Sequence, residues 1–277
     1  MESSTNMRNK QKLIQLAYES SLLYAREFPG EPFHPDYTKD PDLFRRLIKT
    51  DRKLENGFTQ YFKELSTRAA SQINWMEYES RVNAKKASEI DDWIKIDWDG
   101  ETLKMKVILT DALLDAIVAG GMLMQKDSKI DIGWNKNAPT LLDFVDKYGL
   151  KLAKTLDNTT QDRVKSALKL SFSNFEDAQD AADRITKIID DPQRAMTIAR
   201  TESVNAFGAG RKAVAEEIGW KFKQWHSMLG ACSICEGNSA DGIIPIDKEF
   251  SSGHQDVTAH PNDRCSVRYY ATAEGDK

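Results

Sequence analysis

All three cysteines of this 277-residue chain fall in its last fifth, at Cys232, Cys235 and Cys265, and His260 stands just before the last of them. An odd number of thiols grouped this tightly argues for reduced sulfur gathered round one ion more than for a disulfide framework. The two residues between Cys232 and Cys235 let both sulfurs turn to one side, and nearby glycines relax the surrounding turns. Zinc favours such thiolates, and His260 with Cys265 completes a tetrahedral set. A site closed by four protein ligands ties loop segments together and activates no water. Asp263, His254 and His226 are rival ligands, Asp263 standing two residues before Cys265. Against the metal stands a fold in which reduced cysteines and a histidine merely pack. A catalytic thiol pair expects a βαβ setting that the pattern does not show.

The chain as a whole is long enough for one large domain or two smaller ones, each with a real core. Its 40% hydrophobic and 30% charged residues are ordinary globular usage, and a net charge of -4 supplies no overall basic field for nonspecific duplex binding. The opening MESSTNMRNKQK lacks the apolar core of a signal peptide. The most apolar run, VILTDALLDAIVAGGMLM, carries Asp111, Asp115 and paired glycines, so no membrane span and a cytoplasmic origin are expected.

Periodicity predicts a mainly α fold. Leu13, Leu16, Ala17, Leu23 and Tyr24 suggest a helix over Lys12 to Glu27, followed by a proline-rich arm from Pro29 to Pro41. A second helical region runs from Pro41 to about Asn83, with Leu43, Phe44 and Leu47, then Phe58, Tyr61, Phe62 and Leu65, as packing groups. SEIDDWIKIDWDG reads as a short helix or a strand-like connection. The next helix is expected from Glu101 to Ala119, closed by Gly120 and Gly121, with a hairpin or loop over MLMQKDSKIDIGW. Pro139 and Thr140 open another helix, with Asp143 completing a capping box and Tyr148-Gly149 as its end, and helix resumes over Asp162 to Leu170. Ser173 with Glu176 is a further capping signature, ahead of Phe175, Ala178, Ala182, Ile185 and Ile189 on one face. Asp191-Pro192 starts a helix that runs towards Glu217. Beyond Trp220 the composition turns to glycine, serine, cysteine and asparagine, with a strand over Lys221 to His226 and a long irregular tail. The expected architecture is therefore an N-terminal helical region, 1–149, and a C-terminal region, 150–277, carrying a small, loop-rich α+β module like a zinc knuckle.

From about Leu150 to Tyr270 the chain resembles the phage head morphogenesis family, the minor head proteins of tailed bacteriophages. The matching pieces are IARTESVNAFGAG, then KQWHSMLGACSICEGNSADG, then AHPNDRCSV. The resemblance implies that residues 150–277 form the family's domain, acting in few copies at or near the portal vertex in procapsid assembly, DNA packaging or DNA delivery. It implies the portal protein as partner, with major capsid or scaffolding protein and phage DNA as further candidates, and a place in the virion head interior or the host cytoplasm during assembly. Carried over residue by residue, the signature falls on Arg200, Thr201, Glu202, Trp225, Cys232, Cys235, Gly242, His260, Pro261 and Cys265. The family commonly reads HPxCRC where this chain has HPNDRC, so a carboxylate, Asp263, replaces one cysteine.

Within the helix, Arg200 is expected buried or half-buried, bridging to loop carbonyls or carboxylates through its fixed donors. Two other functions compete with an assembly protein that has no active site. A nucleic-acid-binding module would use Lys221, Lys223, Arg264 and Arg268 on phosphates and Trp220, Trp225, Tyr269 and Tyr270 on bases. A metal-dependent nuclease or hydrolase would need an open coordination position near His226, Glu202, His254 or His260.

Overall fold

The computed structural model describes residues 41–84, 93–135, 139–228 and 230–275. The expected helix over Lys12 to Glu27 and the proline-rich arm up to residue 40 lie outside them. The described chain is mainly helical: α1 (Pro41–Ser71), α2 (Trp75–Ala84), α3 (Trp98–Ser128), α4 (Pro139–Ser173), α5 (Ala178–Ile189) and α6 (Pro192–Glu217). A small α+β module follows, made of β1 (Phe222–His226), α7 (Ser233–Ala240), β2 (Ile243–Pro245) and β3 (Ser266–Tyr270).

Two compact units divide the chain, one drawn from Leu54–Asp111 and Thr140–Met196, the other from Met1–Lys53, Ala112–Pro139 and Thr197–Lys277. The expected single division after residue 149 falls inside α4. Helical period reports which face of a segment is apolar. It does not report which partner each successive turn meets, so a unit assembled from separated pieces escapes it.

The first unit is a helical core. Leu54, Phe58, Phe62 and Leu65 of α1 are buried with Met105 and Leu109 of α3, Val145, Val164 and Leu168 of α4, and Ile185 and Ile189 of α5. Phe58 and Phe62 stack at 6.1 Å, the packing role expected of this aromatic series. Trp93 stands edge-on to Tyr78 at 5.6 Å and 5.8 Å from Phe172, while Ile94 bridges Ile73, so the tryptophan segment is a strand-like connection around Ile94 and already helix from Trp98 on. Gly149 does not end a helix, and α4 runs on to Ser173. The lost side chain there leaves room beside Thr110, whose Oγ1 would lie 3.4 Å from an added Cβ.

The cap of α5 is Asp177, whose carboxylate accepts from Asp180 N at 2.9 Å, and not the expected Ser173. Ser173 Oγ instead donates back to Lys169 O at 2.9 Å within α4, and Phe175 turns the chain with φ 57°. Glu176 is taken by Arg184, whose guanidinium holds its carboxyl down at about 2.

Buried phenols give this fold an alkaline limit. Burial, then nearby carboxylates, push Tyr78 up to about 12 and raise Tyr61 and Tyr269 further above the ordinary range. Unfolded tyrosines ionise near pH 10. Below that pH both states keep the proton; above it the unfolded chain releases protons that the folded chain retains, and stability falls. The urea midpoint is therefore expected to drop between about pH 10 and 12, with phenolate absorbance from these tyrosines appearing only as the chain unfolds. Normal titration of all tyrosines in the folded protein would contradict this.

In the second unit, α3 passes straight through Gly120 and Gly121 to Ser128, against the expected stop at the glycines. A Cβ on Gly120 would lie 2.0 Å from Phe207 O, and a Cβ on Gly210 would lie 2.0 Å from Ile117 O. The glycines thus let α3 and α6 cross backbone to backbone. The residues after the glycines, expected as a hairpin or loop, are the last turns of α3 and then a loop, to which Gln125 Oε1 is tied by accepting from Ile132 N at 2.8 Å and Trp134 N at 3.1 Å. By length and apolarity α3 would suffice to cross a bilayer, in spite of Asp111 and Asp115; half of that stretch is buried within the fold.

The sheet is antiparallel in the order β2-β1-β3, with Phe222 opposite Tyr270 and Trp225 opposite Val267. Trp225 is fully buried against Phe250 at 5.2 Å, and with Ile244, Val267 and Tyr269 it joins Leu123, Met124, Phe207 and Val214 in one core. That core seats the cysteine-bearing loops on α6.

Candidate metal centre

Cys232 is the exposed N-cap of α7, and Cys235, one turn on, is buried. A sulfur three residues past the cap points back over the first turn, so the helix start itself brings the two thiols together. Ser227 Oγ fixes the turn by donating to Cys235 O at 2.7 Å. Opposite them, His260 Nε2 lies 3.2 Å from Cys232 Sγ and 3.5 Å from Cys235 Sγ. The other ring nitrogen, Nδ1, lies 2.9 Å from Pro261 O. A carbonyl only accepts, so Nδ1 carries a proton, and in the neutral ring Nε2 presents its lone pair to the sulfurs.

Two overlapping sets result. The donor atoms of Cys232, Cys235 and His260 all lie within 4.8 Å of one another, and so do those of Cys235, Asp263 and Cys265. Cys235 belongs to both, so the four expected ligands converge on one small volume. Three soft sulfurs and an imidazole with its tautomer already fixed suit a metal of the zinc type far better than magnesium or calcium. Cys232, Cys235, His260 and Cys265 are the residues that would hold it.

The protonation pattern agrees with a site built to share charge. Main-chain N–H groups of Cys235 and Ile234 lower the Cys232 thiol. Burial, reinforced by Asp263, pushes Cys265 up to about 12 and Cys235 higher still. Burial opposes charge on His260, but the Pro261 carbonyl, Asp263 and Cys232 outweigh it and raise the imidazole. An ion would displace these protons and take over their role.

The rival histidines lie elsewhere. His254 Nδ1 pairs with Ser252 Oγ at 2.9 Å, and His226 Nε2 with Tyr270 OH at 3.2 Å; neither belongs to a donor cluster among the described residues. His254 is thereby removed as an alternate ligand, while Asp263 stays within reach of Cys235.

The loop carrying His260 and Cys265 is clamped to α6. Thr201 Oγ1 accepts from Asn262 N at 3.1 Å, and Asn205 Oδ1 accepts from Thr258 N at 2.9 Å. Glu202 Oε2 accepts from Asn205 Nδ2 at 3.3 Å, which orients that amide. Arg200 is buried, at 3% exposure. Gly242 adopts φ 67° in the turn before β2, the conformation that favours glycine.

Between the two donors of the tail stands Arg264, a phosphate contact only under the nucleic-acid alternative; it is buried, with Nη1 3.1 Å from Asp51 Oδ1 and Nη2 on Asp51 Oδ2. Asp51 also accepts from Ser203 Oγ. Lys223, the second residue of that alternative, is fully buried too: its Nζ donates to Gln255 Oε1 at 2.9 Å and lies 4.9 Å from the centre of the Phe250 ring. Trp225, Tyr269 and Tyr270 are buried rather than offered for stacking, while Lys221 is exposed and Arg268 half-buried. The alternation of β1 puts Lys223 on the same face as Trp225, where its ammonium is satisfied by the two oxygens of Gln255 and the face of the Phe250 ring.

Asp51 and Asn205 were not singled out by the sequence. Asn205 lies inside the IARTESVNAFGAG segment, so its neighbourhood was marked; Asp51, more than two hundred residues from Arg264, carried no signal. Comparison with protein-family models, curated proteins and solved structures finds no match to this chain.

Proposed function

We propose that this chain is a minor head protein of the phage head morphogenesis type, whose C-terminal module is held in shape by one structural zinc ion and docks at the portal vertex. It acts in procapsid assembly, DNA packaging or DNA delivery, inside the virion head, and needs no active site of its own. The observation that carries this reading is the union of the three motif pieces: Thr201 and Asn205 of the first hold the loop of the third, and that loop sets His260 against the cysteine pair of the second. Segments with separate roles would not have to meet in this way. A ligand set of four side chains leaves no position for a reacting water, which supports assembly over hydrolysis.

Purified protein is expected to carry one zinc per chain by elemental analysis. Cys235→Ser and Cys265→Ser abolish stoichiometric zinc, whereas His254→Ala leaves it intact; zinc loss in His254→Ala, or retention in both cysteine variants, overturns the ligand assignment. The assembly role is tested by co-expression with a portal protein, sought among the genes that flank this one. Co-purification with the portal protein that is lost in Cys235→Ser supports it. Failure of the zinc-loaded wild-type chain to associate with portal or procapsid sinks it.

A further inference from the structure

We propose, resting on the zinc reading above, that Asp263 serves the metal centre from outside the coordination shell, as a positioning residue that holds His260 and Cys265 in place. Its two oxygens are divided between two main-chain donors: Oδ2 accepts from Ala259 N at 2.9 Å and Oδ1 from Cys265 N at 2.8 Å. One donor immediately precedes His260 and the other belongs to Cys265 itself, so a single carboxylate fixes both ends of the ligand-bearing loop. A third tie, Asp263 N to His260 O at 3.2 Å, closes the turn between them, where Asn262 adopts φ 62°. Asp263 is 1% exposed, so water does not share this work.

The same bonds argue against direct ligation. A carboxylate whose charge is spread over two N–H groups is a poorer donor to a soft ion than a thiolate, and three cysteines stand ready to supply thiolates once an ion displaces their protons. The N–H groups around the sulfurs are arranged differently: Met228 N bonds Cys265 and the amides of Cys235 and Ile234 bond Cys232, each supporting negative charge on sulfur. Asp263 Oδ2 touches Cys235 Sγ at 3.6 Å, a thiol-to-carboxylate contact that a bound ion would replace. Where the resembling family places a further cysteine, this chain therefore places an outer-shell acceptor and completes the set with Cys265.

Cobalt(II) replacing zinc in the full-length protein reads the ligands directly, because its thiolate charge-transfer absorbance scales with the number of sulfurs and its visible bands report tetrahedral geometry. The wild type is expected to show a tetrahedral, three-thiolate spectrum. Asp263→Asn should give the same spectrum per bound cobalt with affinity weakened ~10- to 100-fold, the loss typical of outer-shell partners. His260→Ala and Cys265→Ser should each change the spectrum. Asp263→Asn should also shrink the difference in Tm between the loaded and metal-free protein, which a purely structural residue would leave constant.

A changed spectrum in Asp263→Asn would make Asp263 a ligand, and unchanged affinity would make it a bystander; either overturns the inference while leaving the zinc reading intact. A wild type that takes up neither cobalt nor zinc removes that reading itself. Should Asp263→Asn not fold, X-ray absorption on the zinc-loaded wild type decides: three sulfurs and one imidazole are expected, and a shell without imidazole scattering overturns the assignment.

Discussion

Arg264→Ala and Asp51→Ala are each expected to destabilise the unit that contains them by about 3–5 kcal/mol, because either leaves a buried charge without its partner. The side chains are 5% and 1% exposed, so solvent does not compensate. Asp51 would keep only Ser203 Oγ among its described donors, and Arg264 would lose a two-pronged acceptor matched to its fork. The loss reaches the metal centre, since Arg264 lies between Asp263 and Cys265 and anchors the tail to α1. Urea denaturation should show the midpoint falling with little change in slope, and zinc should dissociate earlier in the titration. A double variant, Asp51→Leu with Arg264→Met, removes both charges and should recover much of the loss, as replacement of buried ion pairs by apolar groups commonly does. Single variants with near wild-type midpoints would show that water reaches this pair.

Gly120→Ala and Gly210→Ala should each cost about 3 kcal/mol or more, at the severe end of overpacking, although alanine is intrinsically the better helix former by about 1 kcal/mol. The added methyl in each case meets a carbonyl oxygen of the facing helix at 2.0 Å, and a backbone carbonyl moves only if its helix does. The two losses should not add. Once one alanine has pushed α3 from α6, the second meets a gap already opened, so the double variant should fall well short of the sum. Gly57→Ala is the comparison: its methyl would meet the Cγ2 of Ile108 at 2.7 Å, a branch methyl that moves by a turn about χ1 with no shift of a helix, so a smaller loss is expected. Thermal denaturation of the four proteins separates these outcomes, and an additive, mild pair would mean the helices adjust independently.

Much of the fold follows from local chemistry, and so do the places where the local reading failed. Asp191 caps α6 as its sequence position demands, accepting from Gln193 N at 3.1 Å and Arg194 N at 3.3 Å, because a carboxylate before proline has few other uses. Gly120 and Gly149 read as stops, yet both are continued helix. Glycine is equally suited to ending a helix and to letting another backbone approach, and only the neighbour distinguishes the two. Ser173 and Asp177 both stand where a cap is plausible, and the turn at Phe175 chose the second.

By itself, the sequence determined a mainly helical chain, a change of character after Trp220, and a set of thiols and imidazole whose spacing and softness suit one ion. Helical period, proline and glycine placement and ligand chemistry act over a few residues, and a linear reading reaches that far. The tertiary structure decided that Lys223 and Arg264 turn inward, that Asp51 receives Arg264 from the far end of the chain, and that His254 stays away from the cysteines. A charged side chain looks the same in sequence whether water or a buried partner satisfies it; the cost of desolvation is settled only where distant segments meet.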